Sequence, residues 1–540
     1  MPTGDLDPHR TLTDRVRAVW PDALVIFAIL AFWAVYVGPL VVVDQLRGYD
    51  ICRDAAAAIN IQNGQPFADP AYAGQSLWYP PLSPAIVAGV SSITGASPID
   101  CYRWSQLLFN WLLPLSVYLL TRLAWGRVAG AFAVIAFLLA MPWWQMEAAH
   151  GQPAIHSVAW GAITVLLYTR QETKRSLGWA LATGLWLGTS FWHHPFVPTL
   201  LTIAFTAQGL WSLANQTTDN RKAILTRHTV LLISTALLAG PLLYLLLRGP
   251  VLNPAPRQYL ARELMDPHVA LFGSRIWLWI IGIIGLISTI SRSSTFSRLL
   301  ICCMVVALLG QLPGYLRLLV GDQAAWIPVV VPHEFQRLFQ LTWAIAIGVG
   351  CAAILKYVAN RPMPDPARKA LVGILAVALA IGVGGSGLRN ARSNLGHYLA
   401  QVDNPPPLRA AAAWIRDNTD INDVFACDPQ FAFTWLSAET GRKVWLVPAG
   451  HSNPRLDWNL RAERLAQLRD APTPEALWRL ARDSGIRYLI PTMEWQPQAL
   501  FNPARRMDEP LRYFRPVGPD GNGPVILEVL ETPIPNAPAT

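Results

Sequence analysis

Apolar runs long enough to cross a bilayer, about 20 residues each, recur through the first two-thirds of this chain. The pattern predicts spans near residues 22–43, 104–123, 128–144, 154–168, 177–192, 196–213, 230–247, 276–290, 299–320, 338–355 and 370–385, about eleven in all. After Gly385 the pattern changes once, and sharply. From Arg389 onward short β-prone runs alternate with amphipathic segments. Strands are expected at 424–427, 444–447, 488–490 and 525–529, and helices at 409–418, 431–438, 460–468 and 474–483. Strands alternating with helices predict a small α/β domain with a partly parallel sheet. No Gly-rich phosphate loop follows a strand, so no nucleotide fingerprint is present. The expected architecture is a polytopic α-helical membrane module over 1–388, followed by an α/β domain over 389–540.

Charge orients the spans. Basic residues cluster at Arg10/Arg15/Arg17, Arg122/Arg127, Arg170/Lys174/Arg175, Arg221/Lys222/Arg227, Arg292/Arg298 and Arg361/Arg368/Lys369. They fall in every second loop, which the positive-inside rule assigns to the cytoplasm. The N-terminus is then cytoplasmic, and Asp50, His193, Arg257, Arg337 and the C-terminal domain face outward from the cell (plasma or inner) membrane. Residues 1–43 read as a signal anchor, because the apolar run is too long for a cleavable signal and no Ala-x-Ala site follows. The composition, 53% hydrophobic and 14% charged, excludes an ordinary soluble globule and a disordered chain. The net charge of +9 reflects the loop bias and implies no nucleic-acid partner.

The chemistry-bearing residues collect in the outer loops. The first, residues 44–103, is too long for a plain connector and reads as functional. It begins Gly48-Tyr49-Asp50-Ile51-Cys52-Arg53-Asp54 and ends Trp78-Tyr79-Pro80-Pro81-Leu82. Charged groups held beside a membrane mark a functional site by default, so Asp50, Arg53 and Asp54 are candidates. A short interfacial helix is expected at 55–61, stopped by Asn63-Gly64. Asp50 also fits an N-cap of that helix. Cys52 and Cys101 both lie in this loop, either as a disulfide or as two free thiols; Cys302, Cys303 and Cys351 read as small apolar residues within spans.

The second outer loop, 145–153, carries Glu147 and His150, with His156 following. A Glu-x-x-His spacing puts both side chains on one helix face, which suits a divalent cation or a phosphate; no other cofactor is indicated. His193-His194-Pro195 ends a span where imidazoles can neutralise a phosphate or simply sit at the headgroup level. Arg337 opens an outward-facing span, and Arg257 and Arg262 lie in the outer loop 248–275. Most of the 23 tryptophans, Trp20, Trp33, Trp143, Trp144 and Trp326 among them, fall where an aromatic belt is expected. Trp78 and Tyr79 are kept as sugar or lipid contacts.

This pattern resembles the GT-C superfamily of integral membrane glycosyltransferases, in the branch of the protein O-mannosyltransferases and the lipid A aminoarabinose transferase. The likeness rests on Asp50, the Ala-rich stretch 55–58, Gly64-Gln65-Pro66 and Tyr79-Pro80-Pro81-Leu82, set in a polytopic core with an extracytoplasmic C-terminal domain. Where the family often has Asp-Glu or Asp-Ser, this chain has Asp50-Ile51, with Asp54 one helical turn later. The resemblance implies a sugar donor linked to polyprenyl phosphate, an acceptor that is an envelope glycan, lipid or protein, and a basic residue such as Arg337 at the lipid phosphate. It also implies that the second outer loop faces the first across the site. A carboxylate at Asp50 then deprotonates the acceptor hydroxyl, a step worth typically ~10²–10⁴-fold, with inversion at the anomeric carbon. Cations stabilise the departing phosphate.

Two rival readings stand beside this one. An O-antigen ligase or polymerase also works from the outer face, but such enzymes usually lack a large C-terminal soluble domain. A lipid-glycan transporter or non-catalytic scaffold calls for broken helices with charges near the bilayer midplane, whereas here the ionisable residues gather in the outer loops.

Overall fold

The structure, a computed structural model, describes residues 12–42, 49–141, 153–215, 217–248, 250–253, 276–291, 294–320, 332–385, 406–501, 509–519 and 524–534. Fourteen helices among these residues form the apolar part: α1 (Leu12–Val42), α2 (Tyr49–Gln62), α3 (Leu82–Thr94), α4 (Pro98–Phe109), α5 (Leu112–Trp125), α6 (Arg127–Ile135), α7 (Pro153–Lys174), α8 (Leu177–His193), α9 (Phe196–Ala214), α10 (Thr218–Leu247), α11 (Ile276–Ile290), α12 (Thr295–Val320), α13 (Pro332–Ala359) and α14 (Asp365–Gly384). Five stretches within α9, α10, α12, α13 and α14 are long and apolar enough to cross a membrane, and six if the pair α3 and α4, bent by 108°, counts as one span. That count of described residues is coarser than the eleven spans expected.

Helix α13 is the axis of the bundle. Its most apolar window is 72% buried against 11% for α14, and it packs on α6, α11, α12 and α14. Small residues let α11 and α13 approach to backbone contact, as is common between membrane helices. A Cβ at Gly285 would lie 1.8 Å from the Ala346 carbonyl oxygen, and one at Gly350 would lie 2.0 Å from that of Ile281. Trp33, expected in the aromatic belt, is instead 2% exposed within this core. Arg122 and Arg127, from the turn between α5 and α6, converge on Asp22 of α1 at 2.6 and 3.0 Å. This ties the first helix to the central ones.

The long loop expected between the first two spans is largely helical. Helix α2 begins six residues earlier than expected, because Tyr49 to Asp54 continue the Ala-rich run without a breaker and alanine is the best helix former. It stops where Gly64 takes a left-handed conformation at φ 75°. Asp50 therefore lies inside the first turn, not at the N-cap. Helices α3 and α4 were not foreseen as separate elements; serines and glycine interrupt the apolar run of α3. A small apolar cluster joins them to α2 through Ile51, Cys52, Ala55, Val87, Ile99 and Cys101. Both cysteines in it are buried and not bridged to each other, so the disulfide alternative is set aside.

The C-terminal residues form a five-stranded sheet in the order β2-β1-β3-β5-β4. Its strands are β1 (Val424–Ala426), β2 (Lys443–Val444), β3 (Tyr488–Leu489), β4 (Phe514–Val517) and β5 (Ile526–Val529). β1 pairs in parallel with β2 and β3, while β5 runs antiparallel to β3 and β4. The sheet is thus partly parallel, as the alternating pattern predicts. β4 was missed: Pro516 and the exposed Arg515 before it disguise it, as suits an edge strand. Helices α15 (Pro406–Asn418), α16 (Trp458–Arg469) and α17 (Pro474–Asp483) accompany the sheet.

The two parts are interlocked. Ala71 and Tyr72, from the segment between α2 and α3, sit in the apolar core of the C-terminal unit beside Phe425, Phe433 and Trp435. The Val444 amide donates to the Ala71 carbonyl at 2.7 Å. Buried Lys443 donates to Asn60 Oδ1 at 3.0 Å and to the Asp69 carbonyl at 2.8 Å. Asn453 Nδ2 donates to Asp69 Oδ2 at 2.7 Å, while Asp69 Oδ1 accepts from the amides of Ala71 and Tyr72. Asp69 is completely buried; leaving such partners unsatisfied costs about 1–3 kcal/mol each.

The helix crossing gives a test of packing. Gly350→Leu forces α11 and α13 apart, and overpacking of this kind costs at least about 1–3 kcal/mol. The expected result is a lower midpoint of thermal unfolding in detergent, with Gly373→Leu, at a position with open space around it, unchanged.

Candidate active site

The site is built on the first turns of α2. With 3.6 residues per turn, Asp50, Arg53 and Asp54 share one helix face. Arg53 Nη1 donates to Asp50 Oδ1 at 3.0 Å, and its Nε donates to Asp54 Oδ1 at 2.9 Å. The guanidinium also lies over the Tyr79 ring, 3.5 Å from the ring centre, a cation–π contact favoured where water is excluded. The two acids are not equivalent. The Asp50 side chain keeps 34% of its exposure, while that of Asp54 keeps 1%. Asp54 Oδ2 and Arg53 Nη2 have no hydrogen-bond partner among the described residues.

Residues far apart in sequence converge on Asp50. Burial pushes its carboxyl up, but Arg53, then His451, Arg337 and His194, outweigh that and hold it below the usual carboxylate range. Burial raises Asp54 to about 6, against the opposing pull of Arg53. Asp50 is thus the charged, accessible carboxylate, and Asp54 is the buried partner that helps fix Arg53. Tyr79 stands between Trp78 and His194, with ring centres 5.9 and 6.0 Å away, both edge to face. The aromatic-Pro-Pro segment thereby links α2 to the end of α8. His193 and His194 are both buried there, at 4% and 7% exposure, and the His193 ring lies 6.0 Å from that of Trp160.

Arg337 connects the site to the apolar interior. It is 8% exposed on the second turn of α13. It is the charged member of an otherwise nearly apolar cavity of about 670 Å³, walled by α5, α7, α9 and α13 through residues such as Leu113, Val117, Val158, Val197, Leu200, Leu338 and Ile345. The same guanidinium that borders this cavity therefore lies within electrostatic reach of Asp50.

The structure brings together Asp50, Arg53, Asp54, Trp78, Tyr79, His194 and Arg337, with His193 beside them. Glu147, His150, Arg257 and Arg262 lie outside the described residues, as does the side chain of His156. His451, on the turn Ala449–His451, was not foreseen. The only signal for it was a single imidazole in the polar run Gly450-His451-Ser452-Asn453, and nothing local links that run to Asp50.

Among the described residues no divalent-cation site is formed. No group of three His, Cys, Asp or Glu side chains is placed to hold one, and the one accessible carboxylate is flanked by Arg53 and Arg337.

Comparison with known proteins bears on the fold. Residues 79–244 match the family model of dolichyl-phosphate-mannose-protein mannosyltransferases. The archaeal oligosaccharyltransferase AglB from Archaeoglobus fulgidus, solved with an inhibitory peptide and a dolichol-phosphate, has a similar fold: TM-score 0.59, 13% identity, 89% of this chain and 70% of that one. ArnT from Cupriavidus metallidurans, bound to undecaprenyl phosphate, aligns over 95% of this chain and 99% of its own at a TM-score of 0.54 and 14% identity. The arabinofuranosyltransferase AftD from Mycobacteria aligns over 94% of this chain and 41% of its own, at a TM-score of 0.56 and 14% identity. No curated protein matches the sequence. The chain is thus similar in fold to these glycosyltransferases, and similar in sequence to the mannosyltransferase family over residues 79–244.

Asp54 makes a testable signature. Its folded-state pKa of about 6 exceeds the ordinary 3.8, so between those values the folded protein holds more protons than the unfolded one. Stability contributed by this group therefore rises as pH falls from 6 to 4. Asp54→Asn removes that contribution, and the difference in unfolding midpoint between variant and wild type should change across this range.

Proposed function

We propose that the protein transfers a sugar from a polyprenyl-phosphate donor to a hydroxyl acceptor outside the cell membrane, with Asp50 as general base and inversion at the anomeric carbon. The observation that carries this reading is the position of Arg337, at once on the wall of an apolar cavity of about 670 Å³ and within electrostatic reach of Asp50. An apolar cavity with one cation is what a lipid phosphate needs, because the chain leaves water while the phosphate keeps a charge-assisted partner. ArnT with its undecaprenyl phosphate and AglB with its dolichol-phosphate supply precedent on similar folds.

The step then balances as follows. The acceptor hydroxyl gives its proton to the Asp50 carboxylate, and its oxygen bonds to the anomeric carbon on the face opposite the phosphate. The anomeric carbon–oxygen bond breaks, and its electron pair goes to the phosphate. Arg337 and His194 meet that growing negative charge, and Arg257 and His193 remain the further candidate cations for it. Arg53 holds Asp50 in place and keeps it ionised, with Trp78 and Tyr79 alongside as substrate contacts. Asp54 acts through Arg53 and not on the acceptor, because it is buried. The acceptor is an envelope glycan, a lipid or a protein. The topology consistent with this chemistry has about eleven spans over 1–388, a cytoplasmic N-terminus and the unit 389–540 outside.

The test is transfer by the full chain in lipid nanodiscs. Radiolabelled polyprenyl-phosphate sugars are offered with a membrane-glycan extract. Asp50→Asn should lower kcat by ~10²-fold or more with little change in donor KM. Arg337→Met should weaken binding of bare undecaprenyl phosphate by about tenfold, the order of one charge-assisted hydrogen bond. Equal transfer by wild type and Asp50→Asn would move the base elsewhere. Failure of folded wild type to bind undecaprenyl phosphate would sink the donor assignment.

A further inference from the structure

The end of the helical bundle away from Asp50 carries a second group of buried charges, which have no part in the transfer step. Arg455 of the C-terminal unit donates to the Leu245 carbonyl near the end of α10, so the beginning of α10 lies at the far end of the bundle. There Arg227 of α10 meets Glu172 of α7, its Nε 3.8 Å from Oε1. Arg298 stands on the first turn of α12, and Arg298, Arg227 and Glu172 are all within electrostatic reach of Tyr168. Further along α12, a Cβ at Gly310 would lie 1.9 Å from the ring of Phe335, near Arg337 in sequence. Arg298 precedes Gly310 by roughly 18 Å of helix, at 1.5 Å per residue. The group is therefore separate from the Arg337 end of the lipid-facing cavity.

The hydrogen bonds in this group are unevenly filled. The Tyr168 hydroxyl bonds to Gln208 and lies 3.1 Å from His228 Nε2. By contrast, Arg227 is 4% exposed, and neither its Nε nor that of Arg298 has a hydrogen-bond partner among the described residues. Buried donors are nearly always satisfied, and the approach of Glu172 is too long to satisfy Arg227. Two guanidinium groups face one carboxylate, so positive charge is left over.

The N-terminus of α12 adds to it. Ser294 Oγ accepts from the Ser297 amide at 3.1 Å, and the two hydroxyl oxygens are 2.8 Å apart. The amides of a first helical turn point out of the helix end and favour an anion. A cation on that turn, as Arg298 is, is opposed by the same dipole unless an anion lies between them. Arg298 is only partly buried, so an anion can reach it from the surface. Leu210, Trp211 and Leu225 are exposed at the same ends of α9 and α10, a surface suited to acyl chains.

We infer that Arg298 and Arg227, with the N-terminus of α12, bind a phosphate group at this end of the bundle. Guanidinium groups and helix N-termini both suit phosphate oxygens, and basic pockets between membrane helices on the cytoplasmic side hold acidic lipid headgroups. The phosphate is that of an acidic membrane lipid or free phosphate. Naming the leaflet, the cytoplasmic one in the topology given above, rests on the proposed function; the binding itself does not.

The test uses the delipidated full chain in detergent. Phosphatidylglycerol is titrated in and read by native mass spectrometry, and inorganic phosphate is read by the midpoint of thermal unfolding. The wild type should bind. Arg298→Gln should weaken binding by about tenfold, the order of one hydrogen bond to a charged group, and Arg337→Met should not. Arg227→Gln strips Glu172 of its partner and can unfold the bundle, so Glu172→Gln is the second variant. It releases Arg227 and should tighten binding, whereas a merely structural ion pair would lower the unfolding midpoint and leave binding as it was. Circular dichroism shows that each variant is folded. Phosphatidylglycerol binding that inorganic phosphate does not displace assigns the site to a lipid headgroup. Displacement by inorganic phosphate, or phosphate binding alone with the same dependence on Arg298, assigns it to free phosphate. No binding of either probe by folded wild type, binding unchanged in both Arg298→Gln and Glu172→Gln, or binding lost only in Arg337→Met overturns the site.

Discussion

The buried guanidinium of Arg53 is the interaction around which the site is organised. It bridges Asp50 and Asp54 on one face of α2, lies against Tyr79, and borders a small cavity shared with the C-terminal unit. Burying one charge is costly unless the partners are well placed, and here two carboxylates and an aromatic face share that role. The same arrangement separates the acids by environment: one stays ionised and accessible, and the other is buried with its carboxyl raised to about 6. Two like residues a turn apart thus acquire different chemistry from their surroundings.

This arrangement holds only because three layers press upon it. Below, α13 carries Arg337 from the apolar cavity to the neighbourhood of Asp50. To the side, the end of α8 brings His194 against Tyr79. Above, the C-terminal unit closes over α2, bonded through Lys443, Asn453 and Tyr72 to the segment that follows it. These contacts add buried, satisfied polar groups to the apolar packing of Ala71 and Tyr72, so they fix a register between the two parts. Asp50, Arg53, His194 and Arg337 are thereby kept at fixed separations, the kind of arrangement that orients reactants before chemistry begins.

Much of this was legible in the residues. Apolar runs gave α8, α9, α11, α12 and α14 to within a few residues, since a helix in lipid must satisfy its own backbone. Alternation gave β1, β3, β5 and the partly parallel sheet. Asp50, Trp78, Tyr79 and Arg337 stood out because charge and aromatic rings beside apolar runs need a reason to be there. The error at 44–103 has a physical cause. Helices α3 and α4 are half-buried and carry serines, so their pattern resembles neither a span nor a surface helix.

The sequence by itself determined the class: a helical membrane chain with an α/β unit at its end and an acid-bearing segment after the first span. These follow from local composition and periodicity, which act over a few residues. Only the tertiary structure decided that Asp54 is buried while Asp50 is open, that Arg53 ties them together, and that His451 and Arg337, far along the chain, come within electrostatic reach of Asp50. Burial and electrostatic reach depend on which distant segments pack together, and no local pattern encodes that.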